Sequence, residues 1–270
     1  MPAVRWRGPD GAVAIATLQG AHLVSWSMPG GGERLFVSER SAFGAGKAIR
    51  GGIPVVFPQF AELGPLAKHG FARTTDWKLT GVAETKEGTR ATFALEASPQ
   101  SLALWPHPFR LEFAATLGRS RLEVELRVTN TGGEAFAFAA ALHTYLNVSD
   151  AAAVRLQGLR GTRFRDREPI AVGVEGRSVV TAEEPIDRVY FAAPAELRLE
   201  DPERVLAISQ RGFSDTVVWN PGRELAAQMA DMVPEGYRRM LCVEAASIDP
   251  IVTLAAGSAW TGAQAIAVAR

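Results

Sequence analysis

The chain has 270 residues, 47% of them hydrophobic, with 29 basic and 29 acidic side chains, so its formal net charge is zero. That balance argues against a nucleic-acid partner, while the hydrophobic share is ample for a sizeable core. Cys242 is the single cysteine, which excludes a disulfide framework and suits a reducing cytoplasm.

The first apolar run, AVAIATL, is too short to cross a membrane and is broken by Thr17, then Gln19 and Gly20. It has no small-residue cleavage pattern after it, so it reads as a strand and not as a signal peptide. A second strand-like run, AHLVSW, carries His22. The segment from Arg50 to Arg73 is different in kind, with two arginines, a histidine, four glycines and three prolines. Gly51 and Gly52 permit a turn or a close backbone approach. Pro54 and Pro58 bracket Val55, Val56 and Phe57, a spacing that argues against a helix or a central strand.

Alternation then dominates. FRLEFAATL and RLEVELRVTN flank a short turn at Gly118–Ser120. Leu122, Val124, Leu126 and Val128 face inward while Glu123, Glu125 and Arg127 face out, the period-2 pattern of a half-buried strand. ATFALEA, EAFAFAAALH, VRLQGL, ELRLE, VLAISQ, DTVVWN, MLCVEAA and AQAIAVAR extend the series. Only RELAAQMADM reads as a helix. The expectation is an all-β chain of antiparallel sheets packed face to face, one domain over residues 1–270.

None of the four histidines, His22, His69, His107 and His143, pairs with another His or a Cys at metal-ligand spacing, so no metal site is expected. His107, between two prolines, reads as loop filling. His143 ends an alanine-rich apolar strand, where partial desolvation would pull its pKa down, and a charge switch near neutral pH is what a general acid needs; a core histidine bonded to a carbonyl is the plainer reading. Glu244 follows Met240–Val243 and precedes two alanines, a context in which a carboxylate either points outward or is buried for a reason. Asp187 and Asp215 each fit a turn or the start of a strand.

RGGIPVVFPQF, KHGFAR, LWPHPF, HTYL, SDTVVWNP and the late strand with Glu244 occur in this order over most of the chain. Together they make it resemble the hexose-6-phosphate mutarotases (glucose-6-phosphate 1-epimerases) of the aldose 1-epimerase superfamily. The resemblance implies a galactose-mutarotase-like β-supersandwich with sugar bound on a concave sheet face. It also implies His143 as acid, Glu244 as base, Arg50 and Arg73 as phosphate or sugar ligands, Asp187 as a sugar-hydroxyl ligand and His69 lining the pocket. Lys68 would add positive charge. The expected partner is a small-molecule hexose 6-phosphate, without nucleic acid, membrane, metal or cofactor, and the expected state is a cytoplasmic monomer.

Three positions depart from that pattern: Lys68 stands where relatives often carry Gln or Ser, Gly222 where they carry Trp, and Ala245–Ala246 follow Glu244 in place of a Pro-Gly-His run. The competing readings are a free-aldose mutarotase, a glycoside hydrolase pairing Asp215 with Glu244, and a non-catalytic sugar-phosphate binding module.

Overall fold

A computed structural model describes residues 1–30, 32–167 and 170–269. The strands run β1 (Ala3–Arg7), β2 (Val13–Thr17), β3 (Leu23–Met28), β4 (Gly32–Glu33), β5 (Val55–Val56), β6 (Lys78–Glu84) and β7 (Thr89–Glu96). After helix α1 (Pro99–Leu104) come β8 (Phe109–Gly118), β9 (Arg121–Asn130), β10 (Phe136–Leu142), β11 (Tyr145–Asn147), β12 (Arg155–Gln157) and β13 (Arg163–Asp166). Next are β14 (Ala171–Val174), β15 (Val179–Val180), β16 (Ile186–Phe191), β17 (Glu196–Asp201), β18 (Arg204–Arg211) and β19 (Asp215–Asn220). Helix α2 (Gly222–Gln228) precedes the two long final strands, β20 (Met240–Leu254) and β21 (Ala259–Ala269).

These strands make three antiparallel sheets. A small one is ordered β1-β2-β3-β4; a nine-stranded one runs β15-β12-β17-β18-β21-β9-β8-β7-β6; the third runs β14-β13-β16-β19-β20-β10-β5, with β11 also paired to β20. The main core joins inward residues of the two large sheets, such as Phe93, Phe113, Leu122 and Val124 from one and Phe138, Leu142, Val218, Val243 and Ala245 from the other. Alternation sends the other half of β19 and β20 to the opposite face. There Val56, Ala139, Ala141, Val189, Val217, Ala246 and Ile248 form a second apolar cluster. Both faces of β20 are therefore covered, which is why MLCVEAAS reads as a nearly continuous apolar run.

Val55–Val56 do form a strand, and it ends the sheet order at its β10 edge, where flanking prolines are tolerated because that side needs no ladder donor. The stretch around it is buried and not a solvated surface loop. Gly51 (φ +120°) and Gly52 (φ +65°) make this packing possible: a Cβ there would stand 2.2 Å from the Phe36 carbonyl oxygen and 2.3 Å from that of Leu23. The helical run is shorter than its pattern and begins earlier, at Gly222, while α1 is a helix that the alternation conceals. Its signals are Ser98, whose hydroxyl accepts from the Ser101 amide, and Pro99 in the first turn. Arg270, the end of the AQAIAVAR run, lies outside the described residues.

Candidate active site

Glu244 lies on the outer face of β20, opposite Val217 of β19 in the strand register, and its side chain is 1% exposed. Burial, then the charge of Asp187, raises the carboxyl well above its ordinary value, with Arg167 opposing. His143 occupies the break between β10 and β11, held by its amide donating to the Pro54 carbonyl at 3.1 Å. Its Nδ1 lies 3.2 Å from Glu244 Oε1. The contact is close but not aligned as a hydrogen bond, and both Nδ1 and Glu244 Oε2 are buried without a hydrogen-bond partner. Burial, then His69, Arg50 and Arg73, lowers the imidazole well below its ordinary value. Both groups are thus pushed toward neutrality. A neutral pair and an ion pair hold the same single proton, so the pair carries one proton in either form.

Three aromatic rings fix His143 in place. Its ring stacks on Tyr145 with centroids 4.7 Å apart and meets Trp219 and His69 edge-on at 6.1 and 5.4 Å. His69 takes φ +66°, a left-handed conformation that costs a non-glycine residue roughly 1–2 kcal/mol. Its Nδ1 accepts from the Ala61 amide at 3.2 Å, so the ring proton sits on Nε2. Burial, then Arg73 and the other nearby cations, holds the ring neutral with a pKa of about 2. His69 is therefore a neutral donor. His22, by contrast, lies at the start of β3 and gives Nε2–H to the Gly51 carbonyl at 2.7 Å, bracing the Gly51–Gly52 turn.

Arg50 and Arg73 converge beside His143. Arg50 makes a forked contact with Asp231, Nε to both carboxylate oxygens at 3.2 Å and Nη2 to one at 3.1 Å, and its Nη1 donates to the Tyr145 hydroxyl at 3.1 Å. Burial opposes its charge, and Tyr145 and Asp231 more than offset that. Arg73 gives Nη2–H to the Lys68 carbonyl at 2.7 Å, while its Nε is buried with no hydrogen-bond partner. Burial, together with Arg50 nearby, lowers its pKa even though Tyr145 and Asp231 oppose this. Two guanidinium groups within electrostatic reach of each other and of His143, one with an unfilled donor, favour a nearby anion.

Asp187 is the second residue of β16, a strand start and not a turn, paired in register with Trp219, and its carboxylate is 3.8 Å from Arg167 Nη1. Lys68 turns its ammonium to Glu62 at 3.1 Å, both side chains more than half exposed, so what it contributes to the site is its carbonyl. Asp215 is fully buried and its carboxylate accepts from the amides of Ala192, Ile248 and Asp249 at 3.3, 2.8 and 3.1 Å. It ties β19 to β20 and to the turn after β16, and has no free oxygen for substrate chemistry.

Asp231, Tyr145, Trp219 and Arg167 are site residues that the sequence did not single out. Tyr145 and Trp219 sit within HTYL and SDTVVWNP, so the motifs held a signal for them; Asp231 lies near the end of the helical run RELAAQMADM, which pointed to no site, and Arg167 lies in an unremarkable charged run. Gly222 has φ +65°, and a Cβ there would stand 2.4 Å from Pro185 Cγ, so a large side chain at this position needs a different Pro185 loop.

A family model described as aldose 1-epimerase matches residues 2–267. A protein from Cenchrus ciliaris, provisionally named glucose-6-phosphate 1-epimerase, is 35% identical over 267 residues, covering 95% of this chain and 81% of its own. A crystal structure from Salmonella typhimurium, provisionally called a mutarotase, superposes with a TM-score of 0.91 at 34% identity over 99% of this chain and 90% of that one. A galactose mutarotase-like protein from Lactobacillus casei, at 17% identity, aligns with a TM-score of 0.78 over 99% of this chain and 100% of its own, sharing the fold.

Proposed function

The chain belongs to the aldose 1-epimerase family, and on that premise we propose that it interconverts the α and β anomers of a hexose 6-phosphate, with His143 and Glu244 as the acid–base pair. The observation that carries this reading is the buried contact of 3.2 Å between them with two guanidinium groups on the His143 side. Anomer exchange acts on two oxygens bonded to one carbon, the C1 hydroxyl and the ring oxygen, so an acid and a base in direct contact match the spacing of their targets.

In the reactive form Glu244 is a carboxylate and His143 an imidazolium, the same single-proton state as the neutral pair. Glu244 takes the C1 hydroxyl proton as His143 gives its proton to the ring oxygen. The bond from C1 to the ring oxygen breaks and C1 becomes a carbonyl. Rotation about C1–C2 presents the other face, and the reverse transfers close the ring with the pair restored. His69, a neutral donor, and Asp187 hold the sugar hydroxyls while C1 turns.

The phosphate assignment follows from connectivity. C6 is bonded to C5, which carries the ring oxygen, so a 6-phosphate lies on the acid's side of the sugar. Arg50 reaches His143 through Tyr145, and Arg73 lies close enough to depress the imidazole. The groups acting on Glu244 are instead Asp187 and Arg167. A dianion between the arginines would also offset their field at His143 and favour the imidazolium. The deciding experiment is NMR exchange or polarimetry on glucose 6-phosphate and glucose side by side. Catalysed exchange that strongly favours the phosphate supports the proposal. Equal acceleration supports a free-aldose mutarotase, and binding without exchange supports a binding module.

A further inference from the structure

Cys242 and Glu244 are two positions apart on β20, so their side chains leave the same face of the sheet. His143 reaches both from the break between β10 and β11. One ligand atom from each of the three lies within 4.8 Å of the others, and the side chains are buried, with Cys242 at 0%, Glu244 at 1% and His143 at 7% exposure. A second observation points to a ligand: His143 Nδ1 and Glu244 Oε2 are both enclosed without a hydrogen-bond partner. The acid–base reading uses the histidine and the glutamate but leaves the thiol without a task.

An imidazole nitrogen, a thiol sulfur and a carboxylate oxygen converging on one point are the donor set of a borderline-soft, tetrahedral cation. We propose that His143, Cys242 and Glu244 bind one divalent cation of the zinc class, with the fourth position open to the sugar site, and that cation and sugar exclude each other. Exclusion follows because the metal takes the nitrogen and oxygen lone pairs that proton transfer needs. Binding replaces the thiol proton by the metal and releases it to solvent, along with any proton held between His143 and Glu244. The site is thus inhibitory, a point at which free zinc switches the enzyme off.

The test uses the full chain, treated with chelator and then titrated with cadmium. Because Cys242 is the only cysteine, an ultraviolet thiolate-to-cadmium charge-transfer band can arise only there. We expect the band to saturate at one equivalent and to fade as glucose 6-phosphate is added. Zinc should abolish anomer exchange, and chelator should restore it. Cys242→Ser should keep its exchange activity, lack the band and need at least about tenfold more zinc for the same inhibition, since even residues behind metal ligands are worth 10–100-fold. Absence of the band in the wild-type chain, or equal zinc inhibition in Cys242→Ser, would overturn the proposal. If Cys242→Ser does not fold, the wild-type titration still decides. The exclusion and inhibition arms rest on the proposed epimerase reading, whereas the cadmium band of the sugar-free chain reads the thiolate alone. Loss of that band refutes the metal site, and an intact band untouched by both glucose 6-phosphate and glucose refutes the exclusion.

Discussion

The imidazole of His143 lies flat on the phenol ring of Tyr145, centroids 4.7 Å apart and planes 7° from parallel, while the Tyr145 hydroxyl accepts from Arg50 Nη1 at 3.1 Å. The proposed acid is thereby joined through one ring to a proposed phosphate ligand. Asp231 anchors the far side of that guanidinium.

The two arginines should behave differently on substitution. Hydrogen bonds to charged groups contribute about 1.5–3 kcal/mol, and 1.4 kcal/mol is about tenfold. Arg73→Met, which leaves no carboxylate unpaired, should weaken glucose 6-phosphate at least about tenfold with little change in Tm. Arg50→Met should cost a similar factor and also stability, because it strands Asp231 and the Tyr145 hydroxyl in a partly buried site. Measured kcat/KM on glucose 6-phosphate and glucose, with thermal melts, checks both; equal losses on the two sugars would sink the phosphate assignment.

His143→Asn and Glu244→Gln should each remove about two to four orders of magnitude of the catalysed rate. The double variant should lose little more, since the two groups serve one step. Folded single variants with near wild-type exchange rates would show that the pair is not the proton-transfer machinery.

The pH profile should have a broad top. Burial raises the Glu244 carboxyl and lowers the His143 imidazole, so the two titrations move apart and one proton stays on the pair between them. As pH falls through the lowered value of the imidazole a second proton binds and no base remains. As pH rises through the raised value of the carboxyl the shared proton leaves and no acid remains. The acid limb of kcat, after subtracting spontaneous exchange, should therefore fall below pH 6.5, the ordinary value for histidine. A narrow optimum centred there would contradict this account.

Glu175 sets the acid stability of β16, which carries Asp187, and of β13, which leads into Arg167. It accepts from Arg177 Nε and Nη2 at 2.8 Å, Arg188 Nη1 at 2.9 Å and the Tyr190 hydroxyl at 2.8 Å. The hydrogen bond from Arg177, against an opposing burial effect, holds its pKa down from 4.5 to about 2. A depressed carboxylate stabilises the fold above its unfolded value and loses that contribution as pH drops from 4.5 toward 2. Glu175→Gln should thus cost about 1–3 kcal/mol at neutral pH, and the gap from wild type should shrink as pH approaches 2. Urea melts across that range test it.

The sequence by itself determined the sheet architecture, because side-chain period is local: Leu122, Val124, Leu126 and Val128 declare their face without reference to anything else. The family resemblance carried by the motifs implied that His143, Glu244, Arg50, Arg73, His69, Asp187 and Lys68 share one site. What the tertiary structure alone decided is which groups face one another. Asp215 and Glu244 look equivalent along the chain, yet three amides occupy the first while the second is left with an unpartnered oxygen. Asp231, from the end of a run that reads only as a helix, and Arg167, from a plain charged run, enter the site with no signal of their own. His143, Cys242 and Glu244 converge although no ligand spacing joins them in sequence. The physical reason is that antiparallel pairing and loop closure set such distances, and both join residues far apart along the chain. Protonation follows the same division, since burial and neighbouring charge are properties of the assembled sheet and not of the strand that carries the group.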